Sequence, residues 1–293
     1  MGSSCISAEQ IDMADITKAI IPVAGMGTRF LPLSKVTPKE FFPLVGKPLI
    51  QYAVEEAKAS GVKEIIFVVN SNKKTLTDYF KRSPKLERVL QDGGKDDLLE
   101  QLKSIEKLVE GMTFSFVTQR EQAGDGHAVL QAKRLVGNEP CFMIYPDDVI
   151  EAKTPALAQI AQVFRTSEKP VISLFTVSKE RLPTLGVVEP ERIARKLHKV
   201  RKIVEKPAPD AIPSDLAVVG RHVLTSDVFA YLKKAKPNKR GEISLTEALG
   251  EMVKDGKIIY GYEVEGRWWD CGTMPSWLKS QLYFTLTSPE YGP

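Results

Sequence analysis

A glycine-rich segment directly follows the first strongly apolar run of the sequence. The run covers residues 18–24 and ends at Ala24, and the segment after it contains Gly25, Gly27, Thr28 and Arg29. Glycines let backbone N–H groups approach an anion without an intervening side chain, and an arginine guanidinium matches phosphate oxygens. The pattern therefore predicts a phosphate-binding loop, although an ordinary turn at a strand end would give the same letters.

Two familiar phosphate-binding motifs do not explain this segment. A dinucleotide fingerprint needs a third glycine, where this chain has Phe30, and an acidic residue ending the second strand, where it has Asn70. A Walker A loop needs an upstream glycine at a fixed distance from Gly-Lys, and each Gly-Lys pair in this sequence lacks it. The sequence therefore excludes both motifs.

A proline-rich segment follows the glycine loop and completes a longer pattern. Prolines at positions 32, 38, 43 and 48 hold this segment extended and fix Lys39 relative to the loop. The run over residues 18–52 resembles the N-terminal signature of the sugar-phosphate nucleotidyltransferases, in the form typical of bacterial UTP–glucose-1-phosphate uridylyltransferases. Further blocks resemble that family in the same order: Gln119 with GDGHA at 124–128, PDD at 146–148, GVV at 186–188, VEKP at 204–207, VGR at 219–221, GEI at 241–243 and DCG at 270–272.

The resemblance runs from about residue 17 to residue 284, with some departures. The charged stretch around 86–105 is similar to a helical insertion of the uridylyltransferases, although its pattern alone predicts only a surface insertion. Asp125 stands where a leucine is usual, so it could alter base preference or point to solvent. Phe41-Phe42 and Trp268-Trp269 also differ from the usual residues, and strand alternation would bury only one of the two tryptophans.

The resemblance implies attack of a sugar 1-phosphate on the α-phosphorus of UTP, with release of pyrophosphate and, for glucose, formation of UDP-glucose. Two polyanions must then meet, and each close pair of like charges at about 4 Å costs about 4 kcal/mol at an effective dielectric constant of about 20. We therefore expect catalysis by positioning and electrostatic stabilisation, with little general-base work.

The resemblance also implies which residues do this work. The expected catalytic cations are Arg29, Lys39 and Lys206. The expected nucleotide site consists of Ala24, Gly25, Gly27, Thr28, Gln119, Gly126 and Asp147, with the Gln119 amide and the Gly126 backbone on either side of the uracil. The expected sugar-phosphate site consists of Gly186, Glu205 and Lys206.

Mg²⁺ is the expected cofactor, held by Asp147 and Asp270, because Mg²⁺ takes a few carboxylates and completes its shell with phosphate oxygens and water. Asp147 and Asp148 point to opposite faces of an extended strand end, and the family match favours Asp147. Out of context, a strand-end aspartate is more often a cap or turn residue.

Two other functions stay open at this point. The same chemistry could use dTTP or another sugar 1-phosphate, and Asp125 bears on that choice. A catalytically silent paralogue that binds a nucleotide sugar is the second alternative. Retention of the expected charged residues disfavours the silent paralogue: Arg29, Lys39, Asp147, Lys206 and Asp270.

The elements that must position these residues alternate between strand and helix in the first half. Short apolar runs predict strands at 18–24, 64–70, 113–118, 141–145 and 171–177, with helices at 48–60, 128–134 and 154–164. Residues 86–108 predict two short helices split at Gly93-Gly94. After residue 178 the pattern predicts antiparallel strands at 186–188, 199–204 and 216–224, helices at 226–233 and 244–254, a strand at 257–264 and a helix at 275–284.

These elements predict an α/β fold with a Rossmann-like, mixed but mostly parallel sheet flanked by helices, and a smaller antiparallel sugar-binding portion. We expect one domain over residues 17–285. Its part 17–150 mainly binds nucleotide, and its part 151–285 supplies the sugar-phosphate half and the C-terminal helices. Residues 1–16 form an N-terminal extension that matches nothing.

Composition limits the remaining possibilities. The 293 residues are 43% hydrophobic and 27% charged with a net charge of +4, which excludes wholesale disorder and does not suggest a nucleic-acid partner. Three distant cysteines and three unpatterned histidines indicate neither a disulfide framework nor a zinc site. No apolar run is long enough for a membrane helix, so we expect a cytoplasmic protein. The resemblance suggests a homodimer or a homotetramer.

Overall fold

In the part of the chain that the structure describes, nine strands form one mixed sheet, and the first of them carries the glycine-rich loop. The structure is a computed structural model that describes residues 16–70 and 74–293, so nearly all of the expected N-terminal extension lies outside the described residues. The strands are β1 (Lys18–Val23), β2 (Pro43–Leu44), β3 (Lys47–Pro48), β4 (Glu64–Val69), β5 (Thr113–Thr118), β6 (Cys141–Ile144), β7 (Asp148–Glu151), β8 (Val171–Thr176), β9 (Gly186–Arg192), β10 (Leu197–Glu205), β11 (Leu216–Leu224), β12 (Tyr260–Glu263) and β13 (Arg267–Asp270). The helices are α1 (Leu49–Ala59), α2 (Lys74–Phe80), α3 (Pro84–Asp92), α4 (Asp96–Val109), α5 (Asp125–Gln131), α6 (Lys133–Val136), α7 (Ala156–Ser167), α8 (Asp227–Lys234), α9 (Leu245–Lys254) and α10 (Met274–Thr287).

The strand order brings the functional segments to one edge of the large sheet. The order is β5-β4-β1-β6-β11-β8-β12-β10-β9, and the four strands from β5 to β6 are parallel. Their carboxyl ends therefore lie along one edge, which is where ligands bind in open α/β sheets. The segments that follow β1, β5 and β6 are the glycine loop, Gln119 and residues 145–148.

The sheet confirms the predicted fold class, and its antiparallel strands continue the parallel part in one sheet. Strand β11 inserts between β6 and β8 and is antiparallel to both. Strands β12, β10 and β9 then extend the same sheet. The reason is that eight of the nine residues of β11 are buried, so this strand needs a neighbour on each side.

Most predicted elements are confirmed within a few residues, including the split of the insertion into α3 and α4 at Gly93-Gly94. Helix α5 begins at Asp125, three residues earlier than predicted, because Gly124 turns the chain with a φ of 97° and an acidic residue favours a helix start. Helix α2 and strand β7 were not predicted. Strand β7 has no partner in the large sheet and pairs with β13 instead.

Helices cover both faces of the sheet. One face packs on α1 and α7 through residues such as Ile50, Val54 and Ile160. The other packs on α5, α8 and α9, for example through Phe229 and Leu249. Across residues 16–70 and 74–293, no helix combines the length and hydropathy that crossing a membrane requires.

Candidate active site

A cavity of about 570 Å³ lies at the carboxyl edge of β1, β5 and β6. Ten residues expected to bind substrate or catalyse line it: Ala24, Gly25, Gly27, Thr28, Arg29, Lys39, Gln119, Asp147, Glu205 and Lys206. Glu205 is the last residue of β10 and Lys206 follows it, in the second half of the chain. The glycine loop and the Glu205–Lys206 pair therefore face one shared space.

Gly27 fixes the position of Lys39 by close packing. Its φ is 62°, and a Cβ at this position would lie 3.1 Å from Ser34 Cβ and 3.4 Å from Lys39 Cβ. Only glycine meets both conditions without strain. The Lys39 stem consequently packs against the phosphate-binding loop, as the stiff intervening segment predicts. By contrast, a Cβ placed on Gly25 would have no heavy atom within 4 Å, so packing does not require a glycine at this position.

Lys39 and Asp147 form an ion pair inside the cavity. Lys39 Nζ donates to Asp147 Oδ2 at 2.5 Å. Burial alone would raise the pKa of Asp147, but the charges of Lys39 and Arg29 hold it below its usual value. Burial likewise opposes the charge on Lys39, and Asp147 outweighs it and raises the pKa of that ammonium. Both groups are therefore ionised at neutral pH.

The expected metal-binding carboxylates converge beside Gly272. A Cβ on this glycine would lie 3.1 Å from Asp270 Oδ1, 3.3 Å from Asp147 Oδ2 and 3.9 Å from Arg29 Nη1. Both carboxylates thus lie beside the space that the missing side chain of Gly272 leaves free. Arg181 Nη2 donates to Asp270 Oδ2 at 2.9 Å and lies over the Trp268 ring.

The donor set fits a hard divalent cation. Within residues 16–70 and 74–293, no group of three or more acidic, histidine or cysteine side chains is arranged to hold a metal ion. Asp147 and Asp270 are the carboxylates beside Gly272, and phosphate oxygens and water would complete the shell of a cation held there. That division is typical of Mg²⁺ bound together with a nucleotide.

Asp148 points away from the cavity. Its Oδ2 accepts from the Gly220 N–H at 3.0 Å, and its Oδ1 accepts from Trp268 Nε1 at 2.7 Å. Burial, together with the nearby charges of Asp147 and Asp270, raises the pKa of Asp148 to about 7. Asp148 thus anchors the turn, whereas its neighbour Asp147 lines the cavity.

Arg221 holds the turn that carries Asp147, and sequence reasoning did not assign it a role. The buried guanidinium donates to Tyr145 O at 2.9 Å, to Asp148 O at 2.7 Å and to Glu56 Oε2 at 2.9 Å. Glu56 Oε1 in turn accepts from the Leu157 N–H. The available signal was an arginine within the apolar strand β11, since a buried charge needs partners.

The sequence predicts that Gly126 faces the base, whereas the structure places Gly124 in the cavity wall. Gly126 is buried, and its N–H already donates to Ile243 O at 2.9 Å, so it has no free donor for uracil. Gly124 lines the cavity instead, and its carbonyl accepts from Gln119 Nε2 at 2.9 Å. His127 Nδ1 lies 3.0 Å from the same Gln119 nitrogen, which gives this histidine a positioning role.

The expected sugar-phosphate residues lie together at the end of β10. Lys206 Nζ lies 2.7 Å from Glu205 Oε1, and the Lys206 backbone has a φ of 47°, which is unfavourable for a residue other than glycine. Gly186 pairs with Glu205 across the two strands, and a Cβ on it would lie 3.2 Å from Glu205 Oε2. Because Gly186 has no side chain, it leaves room for the Glu205 carboxylate.

Several cavity residues were not predicted from the sequence. Tyr145, Gln122, Asn238, Glu242 and Ser244 also line the space. Glu242 belongs to the GEI block, and the other four gave no motif signal because they lie on separate segments. Asp125, noted as a departure from the family pattern, lines the cavity too and does not point into open solvent.

We expect Arg221→Met to lower the free energy of unfolding by about 3–5 kcal/mol, because it leaves the Glu56 carboxylate buried without its partner. Urea denaturation followed by circular dichroism measures this. Arg201→Met is the control, since its pair with Glu191 is half exposed and worth at most about 1 kcal/mol. Equal urea midpoints for the two variants would contradict the role of Arg221.

Comparison with known proteins agrees with this geometry. Residues 18–285 match the family model described as nucleotidyl transferase. A UTP–glucose-1-phosphate uridylyltransferase of Staphylococcus saprophyticus is 40% identical over 271 residues, covering 92% of this chain and 93% of the relative. One of Staphylococcus epidermidis is 39% identical over 278 residues, covering 95% of each chain.

Solved structures that are similar to this chain also include enzymes of this kind. A UDP-glucose pyrophosphorylase in complex with UDP-glucose superposes with a TM-score of 0.85 at 36% identity, covering 92% of this chain and 98% of the other. A UTP-bound enzyme of the same kind from Acinetobacter baumannii has a TM-score of 0.85 at 34% identity, covering 94% and 96%. A glucose-1-phosphate thymidylyltransferase from Bacillus anthracis is similar in fold, with a TM-score of 0.69 at 24% identity.

Proposed function

The chain belongs to the nucleotidyl transferase family and, within it, to the UTP–glucose-1-phosphate uridylyltransferases, and on this premise we propose how its cavity works. It transfers a uridylyl group from UTP to glucose 1-phosphate and yields UDP-glucose and pyrophosphate. The observation that carries this proposal is that one cavity joins the glycine loop and Lys39 to the Glu205–Lys206 pair. That arrangement brings a nucleotide triphosphate and a phosphorylated acceptor into contact.

The charged side chains suit a reaction between two polyanions. Arg29, Lys39 and Lys206 bring three positive charges into the cavity. Each can offset repulsion of about 4 kcal/mol per close phosphate charge pair, at an effective dielectric constant of about 20. The N–H groups of the glycine loop would hold the phosphates that leave as pyrophosphate, Lys39 would contact the α-phosphate and Lys206 the sugar phosphate. No side chain needs to act as a strong base, because the attacking phosphate is already ionised.

A divalent metal belongs to the chemistry of this family, and we propose Mg²⁺ for this chain. Asp147 and Asp270 would hold it beside Gly272. Bound there, Mg²⁺ would supply positive charge to the phosphate oxygens of UTP. The Arg221 and Asp148 contacts keep Asp147 in place for this role.

Side chains that line the cavity would recognise the uracil and the sugar. The Gln119 side chain lies on the Gly124 side of the cavity and offers an amide to the uracil, and Glu205 accepts hydroxyl groups of the sugar. The alternatives dTTP and other sugar 1-phosphates remain to be separated by measurement. The buried free thiols of Cys141 and Cys271 agree with a reducing cytoplasm as the compartment in which we propose that the reaction occurs.

Purified full-length protein incubated with UTP, glucose 1-phosphate and Mg²⁺ is expected to release pyrophosphate in amounts equal to the UDP-glucose formed. A coupled phosphate assay and anion-exchange chromatography measure the two products. We expect UTP to give the highest kcat/KM among UTP, dTTP, CTP and ATP, and EDTA to abolish the reaction. Binding of UDP-glucose without any turnover would favour the silent paralogue.

We expect Asp147→Asn to lower kcat by about 100-fold or more, because it removes one of the two carboxylates proposed to hold Mg²⁺ and the anionic partner of Lys39. The amide keeps the shape of the side chain, so the thermal unfolding midpoint should stay close to that of the wild type. Asp210→Asn, at an exposed turn, is the control with normal kcat. Near-normal turnover of Asp147→Asn across a range of Mg²⁺ concentrations would remove the metal assignment.

We propose that the C-terminal helix α10 forms a contact between two copies of this chain. One face of α10 packs on the rest of the protein, where Trp277 Nε1 donates to Pro43 O and Val45 N–H donates to Gln281 Oε1. The other face exposes three leucines at helical spacing: Leu278, Leu282 and Leu286. Two identical apolar stripes can cover each other around a two-fold axis. A homodimer is therefore the proposed minimum, and a homotetramer would need a second contact.

Light scattering after size-exclusion chromatography is expected to give at least a dimer for the wild type and a monomer for Leu282→Glu, because the glutamate places a charge in the contact. Ile193→Glu, on an exposed hairpin, is the control that keeps the oligomer. A monomeric wild type, or a Leu282→Glu variant with unchanged mass, would contradict the contact.

A further inference from the structure

Asp125 forms a tight hydrogen-bonded group with Tyr145 at the cavity wall. Asp125 Oδ1 accepts from the N–H groups of Gly126 at 2.8 Å and Leu245 at 3.2 Å. Asp125 Oδ2 accepts from the Tyr145 hydroxyl. The carboxylate thereby joins three segments: the start of α5, the start of α9 and the end of β6.

Hydrogen bonds to Asp125 favour its ionised form, whereas burial opposes it and is the larger influence on its pKa. Three donors point at the two carboxylate oxygens, and Asp125 and Leu245 are the first residues of α5 and α9, whose amino ends carry partial positive charge. Burial raises the pKa of Asp125, and the bonds from Tyr145, Leu245 and Gly126 oppose that rise. A hydrogen-bonded carboxylate is thus present where an aliphatic side chain is usual in the family.

The Asp125–Tyr145 pair lies at the same end of the cavity as Glu205. The first turn of α9 connects them, because Leu245 N–H bonds to Asp125 and Thr246 Cγ2 lies 2.8 Å from a Cβ placed on Gly186. Gly186 in turn adjoins the Glu205 carboxylate. The negative charge of Glu205 also contributes to the raised pKa of Asp125, which agrees with this proximity.

This end of the cavity is rich in carboxylates. Asp125, Glu205 and Glu242 line it, and Lys206, the cation placed here, already pairs with Glu205. Arg29 and Lys39 line the same cavity together with the glycine loop, and Lys39 pairs with Asp147. An acceptor that brings a further negative charge to its sugar ring would meet repulsion here, whereas hydroxyl or ammonium groups would find acceptors.

We propose that Asp125, fixed by Tyr145, makes the acceptor site select against sugar 1-phosphates that carry a carboxylate on the ring, such as uronic acid 1-phosphates, in favour of neutral and amino sugars. This selectivity rests on the proposed function, because it assigns Glu205 and Lys206 to the acceptor. The Tyr145 hydroxyl, which donates to Asp125, keeps its oxygen lone pairs available to a sugar hydroxyl. One charge pair across about 5 Å at an effective dielectric constant of about 20 corresponds to roughly 100-fold discrimination.

A purely structural role for Asp125 makes a different prediction. A carboxylate that only caps α5 and α9 would affect all acceptors equally when it is replaced. Asp125→Asn separates the two roles, because the amide oxygen can still accept from both N–H groups while the charge is lost. Tyr145→Phe removes the hydroxyl that fixes the carboxylate and keeps the ring.

The experiment compares kcat/KM for glucose 1-phosphate, glucosamine 1-phosphate and glucuronate 1-phosphate, with UTP and Mg²⁺, in the full-length wild type and the two variants. We expect the wild type to favour glucose 1-phosphate over glucuronate 1-phosphate by about 100-fold, from the charge pair described above. Asp125→Asn should bring this ratio close to 1, because the charge pair is lost, and Tyr145→Phe should raise KM for glucose 1-phosphate more than it lowers kcat. Asp210→Asn is the charge-matched control with an unchanged ratio.

Three results would overturn the selectivity. The first is a wild type that uses glucuronate 1-phosphate as well as glucose 1-phosphate. The second is an Asp125→Asn variant whose turnover falls equally for all three sugars. The third is equal calorimetric affinity of the wild type for the three sugar 1-phosphates. Calorimetry measures binding and needs no turnover. A protein that binds the three sugar 1-phosphates with different affinities but releases no pyrophosphate would therefore contradict the proposed function and support the selectivity.

Discussion

A single buried guanidinium holds the catalytic edge of this protein together. Arg221 comes from β11, a strand of the second half, and its hydrogen bonds reach the turn after β6 and the Glu56 carboxylate on α1. Removing such a charge from water is costly, and only this complete set of partners offsets the cost. The position of Asp147, and with it the Lys39 pair and the proposed metal site, depends on that turn.

The topology of the sheet explains how two distant parts of the chain come to share one cavity. Because β11 inserts between β6 and β8, the strands that carry the sugar-phosphate residues continue the sheet that carries the glycine loop. The cavity therefore has one wall from each half without needing a hinge between separate domains. Close approach of the 124–126 segment to Ile243, possible because Gly124 and Gly126 lack side chains, closes the remaining side.

Charge is distributed unevenly within the cavity, and this division matches the two substrates. Arg29 and Lys39 accompany the glycine loop, where the triphosphate is proposed to bind, and each lies close to Asp147. The Glu205 side carries carboxylates, which suit a polyhydroxylated ring. Lys206, which pairs with Glu205 and has a strained backbone conformation, is the cation proposed for the acceptor phosphate.

The sequence alone determined the features that depend on neighbouring residues. The glycine loop, the order of most strands and helices, and the split between α3 and α4 follow from local composition. The two-residue period of a strand predicts that only one of Asp147 and Asp148 faces the cavity, and the family resemblance selected Asp147. Only the tertiary structure decided which glycine lines the base side and where β11 inserts. It also decided three side-chain pairs: Arg221 with Glu56, Arg181 with Asp270, and Tyr145 with Asp125. These contacts join residues 165, 89 and 20 positions apart, and burial and hydrogen bonding between such residues are properties of the packed chain.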